Sequence, residues 1–220
     1  MGSIFITGCD TDIGKTFVSV GLCLAYENKG LKVGYYKPFQ SGAYKRDDVL
    51  VAPDIYELKK YSSIQTKYSY LFKGEISPHL ACLINNIDVD LDKIKNDYEE
   101  FSKQFDLTIV EGAGGLYCPA CKGKLFCDII KFLNLETIIV TTPKLGRLNH
   151  LLMTIECAKL NNIKIKGIII NSMPENPSLS ESKFIDELSL FTDVKVLGVI
   201  PDFEKFDKAK IIQSFTSVEL

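Results

Sequence analysis

Hydrophobic and polar positions are distributed along this chain in a way that predicts alternating strands and helices. Short, almost continuously apolar runs predict strands buried on both faces: Ser3–Thr7, Lys32–Tyr36, Asp106–Val110, Thr137–Thr141, Lys164–Ile170 and Lys195–Val199. Other segments predict helices: Thr16–Asn28, Asp48–Lys60, Leu91–Gln104, Cys127–Leu133, Gly146–Leu160, Leu179–Leu190 and Lys208–Phe215. This alternation of element types is typical of an α/β protein.

Glycine and proline mark where several of these elements begin and end. Gly30 is expected to cap the first helix, and Ser77-Pro78-His79 predicts a further helix start, because proline is favoured in the first turn. Pro53 is expected to break or kink the helix that contains it. Lys37–Gly42 is expected to be a loop, because its proline and glycine interrupt regular structure, and Tyr61–Gly74 shows no clear period.

The order of the elements predicts the fold. Strands separated by helices imply right-handed crossovers and a mostly parallel β-sheet with helices on both faces. We therefore expect one α/β domain over residues 1–220, a length that allows a substantial core. Ligands of such sheets bind outside the carboxyl ends of the strands, so candidate functional residues are expected there.

Composition limits the classes of function. The chain has 220 residues, of which 46% are hydrophobic and 25% charged, as in ordinary soluble globular proteins. Its formal net charge of −2 gives no electrostatic argument for binding nucleic acid or an anionic membrane surface. The first residues lead directly into a strand, and no apolar run approaches the length of a membrane span. We therefore expect no signal peptide, no membrane partner and a cytoplasmic location.

The seven cysteines are an odd number, which argues against a complete disulfide framework. Cys118 and Cys121 have the spacing of a metal or redox motif, with Cys127 nearby. No second cysteine pair or paired histidine completes a zinc site, and the pair does not open a helix after a strand as in thioredoxin-like motifs. Free thiols in or under a loop are the favoured interpretation, and a metal or redox function is the alternative.

The first strand leads into Gly8–Thr16, a glycine-bounded loop that ends in Gly14-Lys15-Thr16 at a helix start. Such a loop directs backbone N–H groups at a phosphate, its lysine neutralises phosphate charge, and its threonine can ligate Mg2+. The positive end of the helix favours the same anion. Five residues separate Gly8 from Gly14, where the usual pattern has four. A strand–turn–helix with a chance Gly-Lys-Thr is the alternative.

Further polar residues follow other strands. Glu111 occurs where P-loop proteins have a carboxylate that holds Mg2+, although it can also be a charge that ends a strand. Lys37 is suited to stabilise a transferred phosphoryl group, with a solvated surface lysine as the alternative. Asp47, Asp48 and Asp54 lie close together, and one of them can complete the Mg2+ shell. Sequence spacing does not choose among the three.

Five segments, taken together and in this order, carry a family resemblance: Gly8–Thr16, Tyr36–Gly42, Ser77–His79, Val110–Gly115 and Lys144–His150. They resemble the dethiobiotin synthetases, in which the five-residue spacing of the phosphate loop is typical. The resemblance spans most of the chain. It implies a P-loop NTPase-like fold and an ATP-dependent ligase of biotin biosynthesis that uses Mg2+ and acts as a homodimer.

The resemblance also implies a reaction. CO2 forms a carbamate on one amine of diaminopelargonate, ATP phosphorylates the carbamate, and the second amine closes the ring of dethiobiotin as phosphate leaves. Lys15 and Lys37 are the expected catalytic residues, and Thr16, Asp54 and Glu111 are the expected metal ligands. No covalent nucleophile is required, since positioning and charge stabilisation suffice.

Ligand-binding residues follow from the same resemblance. The expected nucleotide site comprises Asp12, Ile13, Gly14, Lys15, Thr16, Phe17, Asp54, Glu111, Gly112, Ala113, Gly114, Asn171, Ser172, Pro201, Asp202 and Phe203. The expected substrate site comprises Thr11, Lys37, Ser41, Gly114, Leu145, Gly146, Arg147 and Asn149. Asn171 is expected to recognise the base. The helix start at residues 146–150 is expected to receive the substrate carboxylate across the dimer. Beyond the resemblance, our own hypothesis is that Arg147 adds a positive charge there.

Two features depart from the family pattern. Asp12 stands where the family often has glutamate, and Cys9 and the segment after Pro201 are less typical of the family.

Other functions compete with the one that the resemblance implies. A nucleotide-driven dimer switch of the partitioning or nitrogenase-iron-protein type is the main alternative, but such proteins commonly carry a second lysine early in the loop, which Cys9-Asp10-Thr11 lacks. A cobyrinic acid-type amidotransferase would need a glutaminase domain, and a non-catalytic binding module would not need this set of phosphate- and metal-type residues.

Overall fold

The structure, a computed structural model, describes residues 2–46, 49–74 and 76–220, and its centre is an eight-stranded sheet. The strands of this sheet are β1 (Ser3–Gly8), β2 (Val33–Arg46), β3 (Val49–Val51), β4 (Gln65–Lys73), β5 (Leu107–Gly115), β8 (Glu136–Thr141), β9 (Ile165–Met173) and β10 (Val196–Pro201). A separate antiparallel pair consists of β6 (Pro119–Cys121) and β7 (Lys124–Leu125).

The sheet is mostly parallel, as predicted. Its order is β10-β9-β8-β1-β5-β2, and β4 pairs with β2 in the same direction, while β3 pairs antiparallel with the far end of β2. β1 lies at the centre, between β5 and β8. The loops that leave the carboxyl ends of β1, β2 and β5 therefore open at one edge of the sheet.

The helices cover both faces of the sheet. They are α1 (Lys15–Asn28), α2 (Pro53–Tyr61), α3 (Pro78–Ile84), α4 (Leu91–Ser102), α5 (Phe126–Leu133), α6 (Arg147–Leu160), α7 (Leu179–Ser189) and α8 (Lys208–Thr216). None of the helices in the described ranges is both long and apolar enough to cross a membrane.

Alternate strand residues supply two apolar layers, because successive side chains of a strand point to opposite faces. Ile4 and Ile6 join a core with α1, α2 and α8, whereas Phe5 joins a second core with α3, α4 and α5. A third cluster packs α6 and α7 against β8 and β9. The near-continuous apolar character of the predicted strands is therefore explained by burial on both sides.

The second half of β2 contradicts the expected loop at Lys37–Gly42. β2 continues through this segment because β4 supplies a hydrogen-bonding neighbour, with Lys37 opposite Tyr68 and Phe39 opposite Tyr70. β5 pairs with β2 only as far as Tyr36. Proline is tolerated where a strand has a free side, since its missing N–H then breaks no ladder.

Residues 48–74 also differ from prediction. The expected helix Asp48–Lys60 begins only at Pro53, as a proline in the first turn permits, and Val49–Val51 is a strand. β4 was not predicted within Tyr61–Gly74, because this edge strand is only partly buried and shows weak alternation. Asp47 and Asp48 lie outside the described residues.

Candidate active site

The loop between β1 and α1 closes around its own lysine. Gly14 is left-handed, with a φ of 82°, and Asp12 also has a positive φ, of 52°. Lys15 Nζ donates a hydrogen bond to the carbonyl oxygen of Asp10 at 3.0 Å. The side chain of Ile13 is buried in the core behind the loop, so only its backbone faces a ligand. The loop therefore holds the Lys15 ammonium beside its own backbone, at the position where the sequence predicts a phosphate site.

Asn171 fixes this loop from β9. Its Nδ2 donates to the carbonyl oxygen of Ile13 at 3.0 Å. A Cβ atom on Gly14 would lie 2.2 Å from the same Nδ2, so a side chain there would force Asn171 away. Within the described residues, Asn171 Oδ1 is buried without a hydrogen-bond partner. The amide thus supports the loop and retains one unused acceptor.

Two carboxylates surround the ammonium group of Lys37. Lys37 Nζ donates to Glu111 Oε1 at 2.8 Å and also pairs with Asp54 Oδ2. Thr16 Oγ1 donates to the same Glu111 oxygen at 2.8 Å. Lys37 and Glu111 are buried, with 7% and 1% of their surfaces exposed, whereas the Asp54 side chain is 24% exposed. Four of the predicted site residues therefore meet at one point.

Mutual attraction keeps this cluster ionised. Burial opposes the charge of Lys37, but the carboxylates of Glu111 and Asp54 outweigh it and raise the pKa of the lysine. Burial likewise opposes ionisation of Glu111, and the Lys37 ammonium outweighs it and lowers the pKa of that carboxyl. Burial lowers the pKa of Lys15, and the Glu111 carboxylate is the main charge that opposes this shift.

The cluster suits a hard divalent cation. Mg2+ prefers oxygen ligands, which Thr16, Asp54 and Glu111 offer, and it is usually completed by water and phosphate oxygens. A positive charge is already stabilised between the two carboxylates, since the Lys37 ammonium lies there. By the chemistry of the donor set, the residues present fit Mg2+.

Sequence reasoning missed two residues of the site. Tyr35 is fully buried, and its hydroxyl donates to Glu111 Oε2 at 3.0 Å. Burial raises the pKa of Tyr35 well above its ordinary value, so the hydroxyl keeps its proton. Gln40 Nε2 donates to Asp54 Oδ2 at 3.1 Å and to the Ser41 carbonyl oxygen at 2.7 Å. Because side chains of a strand alternate between its two faces, a strand that continued through Lys37 would have predicted Tyr35 on the same face as Lys37.

Two cavities meet at Lys37. The first, of about 420 Å³, is lined by Thr11, Asp12, Gly14, Lys15, Thr16, Lys37 and residues 111–114. The second, of about 550 Å³, shares Thr11, Asp12, Lys37, Ala113 and Gly114 with it and extends over Gln40, Ser41, Gly42, Pro53, Asp54, residues 76–78 and Cys118. Lys37 therefore borders both a phosphate-type cavity and a larger polar one.

A further cavity lies at the carboxyl ends of β9 and β10. It has a volume of about 700 Å³ and is lined by residues 173–175, 201–205 and others, including the predicted Pro201, Asp202 and Phe203. Phe203 packs against Phe17, with ring centroids 5.6 Å apart. Ser172 has a left-handed φ of 55° but does not line this cavity.

Comparison with known proteins identifies the family. Residues 2–210 match a family described as an AAA domain. The chain is 38% identical over 210 residues to the ATP-dependent dethiobiotin synthetase BioD of Brachyspira hyodysenteriae, covering 91% of this chain and 92% of that protein. The protein of the same name from Methanocaldococcus jannaschii is 35% identical over 209 residues, covering 93% of this chain and 96% of that protein. The one from Caldicellulosiruptor bescii is 35% identical over 214 residues, covering 94% of this chain and 87% of that protein.

This chain belongs to the dethiobiotin synthetase family. The resemblance read from the sequence is therefore confirmed, and the family is one of ATP-dependent P-loop enzymes.

Solved structures support the predicted fold class. The MinC:MinD cell division complex from Aquifex aeolicus gives a TM-score of 0.63 at 15% identity, covering 99% of this chain and 93% of that chain. The septum site-determining protein MinD with Mg-ADP from Pyrococcus horikoshii gives 0.62 at 18% identity, with coverage of 99% and 93%. At these identities the likeness concerns the fold alone. The dimer-switch alternative therefore gains no functional support from it.

The start of α6 contains the remaining substrate residues expected from the family. Leu145 is 88% exposed, and neither it nor Gly146 or Asn149 lines the two cavities at Lys37. Arg147 forms an ion pair with Asp10 of the phosphate loop. The Thr11 N–H, with the Arg147 guanidinium, lowers the pKa of Asp10. Within one chain, these four residues are thus separate from Lys37.

All seven cysteines of this family member are free thiols in the structure. Cys121 is buried in β6, and Cys118 is partly buried against Gly114, where an added Cβ would lie 2.9 Å from its Sγ. Burial raises the pKa of both thiols, which disfavours the reactive thiolate. No group of three or more His, Cys, Asp or Glu side chains suited to a metal occurs in the part of the chain that is described.

Proposed function

We propose that this chain closes the cyclic urea of dethiobiotin on diaminopelargonate, using CO2 and ATP. The observation that carries the proposal is the position of Lys37, which borders the phosphate-type cavity on one side and the larger polar cavity on the other. The names of relatives that are 35–38% identical over nearly the whole chain support the same activity.

The reaction requires three bond-forming steps. One amine of the diamine attacks CO2 and loses a proton, giving a carbamate. A carbamate oxygen then attacks the γ-phosphorus of ATP, and ADP leaves. The second amine attacks the carbamate carbon, the ring closes, and the phosphate departs with the former carbamate oxygen. None of these steps needs a covalent bond to the protein, so orientation and charge stabilisation are the contributions of the side chains.

Four side chains perform these roles in our proposal. Lys15 binds the β- and γ-phosphates, because its ammonium group and the loop N–H groups border the 420 Å³ cavity. Lys37 stabilises the carbamate and the negative charge that moves onto it during phosphoryl transfer. Ser41 and Thr11 contact the amine end of the diamine in the neighbouring 550 Å³ cavity.

Thr16, Asp54 and Glu111 hold Mg2+ in this proposal. When bound there, Mg2+ neutralises triphosphate charge and helps to orient the γ-phosphate for in-line transfer. Glu111 is also the main partner of Lys37, so it orients the ammonium towards the two cavities.

The nucleotide base is assigned to the 700 Å³ cavity. Phe203 offers a partly buried aromatic face there, and Pro201 and Asp202 line the same space. Asn171 does not line this cavity, although its buried Oδ1 has no hydrogen-bond partner within the described residues.

The active form in this proposal is a homodimer. The exposed start of α6, near Leu145, Gly146 and Asn149, offers the positive end of a helix, whose first N–H, that of Arg147, donates to the Lys144 carbonyl oxygen. In the proposal this helix end receives the substrate carboxylate of the other subunit, and Arg147, which also pairs with Asp10, adds a charge beside it. This arrangement explains why the residues lie apart from Lys37 within one chain.

The decisive experiment uses the full chain with diaminopelargonate, bicarbonate and Mg-ATP. We expect dethiobiotin and phosphate in equal amounts, detected by mass spectrometry and a phosphate assay. Omission of either the diamine or bicarbonate should abolish phosphate release. Continued ATP hydrolysis without the diamine would contradict the proposal and favour a nucleotide switch.

A further inference from the structure

Tyr35 contacts Glu111 through the carboxylate oxygen that does not bond to Thr16 or Lys37. The tyrosine hydroxyl donates to Oε2, while Oε1 accepts from Thr16 and Lys37. We propose that Tyr35 is a positioning residue, which fixes the Glu111 carboxylate so that Oε1 faces the nucleotide and its metal ion. This inference rests on the metal site of the proposed function and assigns a role that the family motifs do not include.

Strand register explains why Tyr35 reaches this carboxylate. Tyr35 lies opposite Ile109 on β5, and both belong to the core beneath α1. Two residues further along each strand, Lys37 and Glu111 lie on that same face, because side chains of a strand repeat with a period of two. Thr16 approaches from α1 above it. The surroundings of Glu111 are therefore built from two adjacent strands and α1, and α2 adds Asp54.

Burial makes the hydrogen bond consequential. Tyr35 and Glu111 are 0% and 1% exposed, so water is not available to replace the hydroxyl if it is removed. A carboxylate that accepts a hydrogen bond on each oxygen has little freedom to rotate about its last side-chain bond. Partners of this kind orient metal ligands, and their removal typically weakens metal binding or activity by about 10- to 100-fold.

Tyr36 is a matched control on the adjacent position. It is also fully buried, but it lies opposite Val110 and faces the other core. Its hydroxyl donates to the Ile94 carbonyl oxygen at 3.1 Å and shares a hydrogen bond with Ser69 Oγ at 2.6 Å. Tyr36→Phe therefore removes a buried hydroxyl from the same strand without touching Glu111.

The test measures Mn2+ binding, as a paramagnetic substitute for Mg2+, in the presence of the non-hydrolysable analogue AMP-PNP. Free Mn2+ is followed by electron paramagnetic resonance. Tyr35→Phe should raise the Mn2+ dissociation constant by about tenfold. Tyr36→Phe should leave it within twofold of the unchanged chain. In steady-state assays, Tyr35→Phe should also raise the half-saturating Mg2+ concentration and lower kcat, with KM for the diamine unchanged.

A rescue variant separates a donor role from a packing role. p-Aminophenylalanine at position 35 keeps an N–H donor at the ring tip, so it should restore Mn2+ binding. It also decides the question if Tyr35→Phe does not fold. The proposal is overturned if folded Tyr35→Phe binds Mn2+ as tightly as the unchanged chain or if Tyr36→Phe binds Mn2+ as weakly as Tyr35→Phe. It is also overturned if the folded rescue variant still binds Mn2+ weakly.

The binding experiment is independent of ring closure. A chain that binds Mn2+ with AMP-PNP but forms no dethiobiotin would refute the proposed function and leave the Tyr35 result valid. Absence of nucleotide-dependent Mn2+ binding by the unchanged chain would overturn the metal site and the role of Tyr35 together.

Discussion

Replacement of Lys37 by glutamine tests the centre of the proposed mechanism. The substitution keeps approximate length and hydrogen-bonding ability but removes the positive charge between Glu111 and Asp54. We expect kcat to fall much more than nucleotide binding weakens, because in the proposed mechanism Lys37 contacts the charge that develops during transfer, whereas Lys15 holds the bound phosphates.

The size of the effect follows from the contacts. Loss of one preorganised donor to a developing charge typically lowers kcat by about 10²- to 10³-fold, or about 2.7–4 kcal/mol. Removal of one partner of a buried ion pair typically costs about 3–5 kcal/mol of stability. We expect about 3 kcal/mol here, because Asp54 is 24% exposed and Glu111 retains its bonds from Thr16 and Tyr35. For a chain of this size, that lowers Tm by about 6–12 °C.

The assay compares Lys37→Gln with Lys67→Gln. Lys67 also forms a carboxylate pair, with Asp97 at 2.9 Å, but lies at the surface of β4 with 30% of its side chain exposed. Calorimetry establishes a temperature at which both variants are folded, and kcat and the dissociation constant of AMP-PNP are then measured. Lys67→Gln should retain full turnover. If Lys37→Gln retains kcat within tenfold but loses nucleotide affinity, its assigned role is wrong.

Three further substitutions, one of them with a matched control, test other parts of the site and fold. Gly14→Ala should lower the free energy of unfolding by about 1–2 kcal/mol because of the positive φ at this position, and it should also weaken AMP-PNP binding by displacing Asn171. The control Gly30→Ala, at a residue with a φ of 86° and open space around it, should lower stability through backbone strain alone. Arg147→Ala should raise KM for diaminopelargonate by about threefold to tenfold, and an unchanged KM would exclude its role. Partial burial opposes ionisation of Asp97, but bonds to lysines and a serine lower its pKa to about 2. The stabilisation that its charge provides is therefore present above the unfolded pKa of about 3.9 and is lost as the pH falls towards 2. Asp97→Asn should lower the free energy of unfolding by about 1–2 kcal/mol at neutral pH, measured by urea unfolding, and this difference should disappear at low pH.

The parts of the fold that follow from local patterns could be predicted. Apolar runs such as Thr137–Thr141, and helices with clear signals such as Leu91–Gln104, appear in the structure within a few residues of the expected ends. Lys37–Gly42 was assigned wrongly because its proline signals a break, and the sequence does not reveal which side of a strand is free. That information depends on β4, which has a weak pattern of its own.

The charged residues that meet at Lys37 were expected, but not the neutral ones that support them. Lys37 and Glu111 follow apolar runs that predict strands, whereas Asp54 was chosen among three aspartates only through the family resemblance. Tyr35 and Gln40 belong to no recognisable motif in the sequence. Tyr35 bonds to Glu111, 76 residues away along the chain, and Gln40 bonds to Asp54, 14 residues away. Their roles depend on register and burial, which only the assembled sheet defines.

The five charged groups that line the two cavities at Lys37 have a consequence for how the nucleotide enters. Lys15 and Lys37 contribute two positive charges, and Asp12, Asp54 and Glu111 contribute three negative ones, so their formal sum is −1 before any ligand binds. A triphosphate that entered alone would make this buried region strongly negative. A triphosphate that carries its own divalent cation would bring much of the balancing charge with it, so the reaction centre would remain closer to electroneutrality from folding through substrate binding.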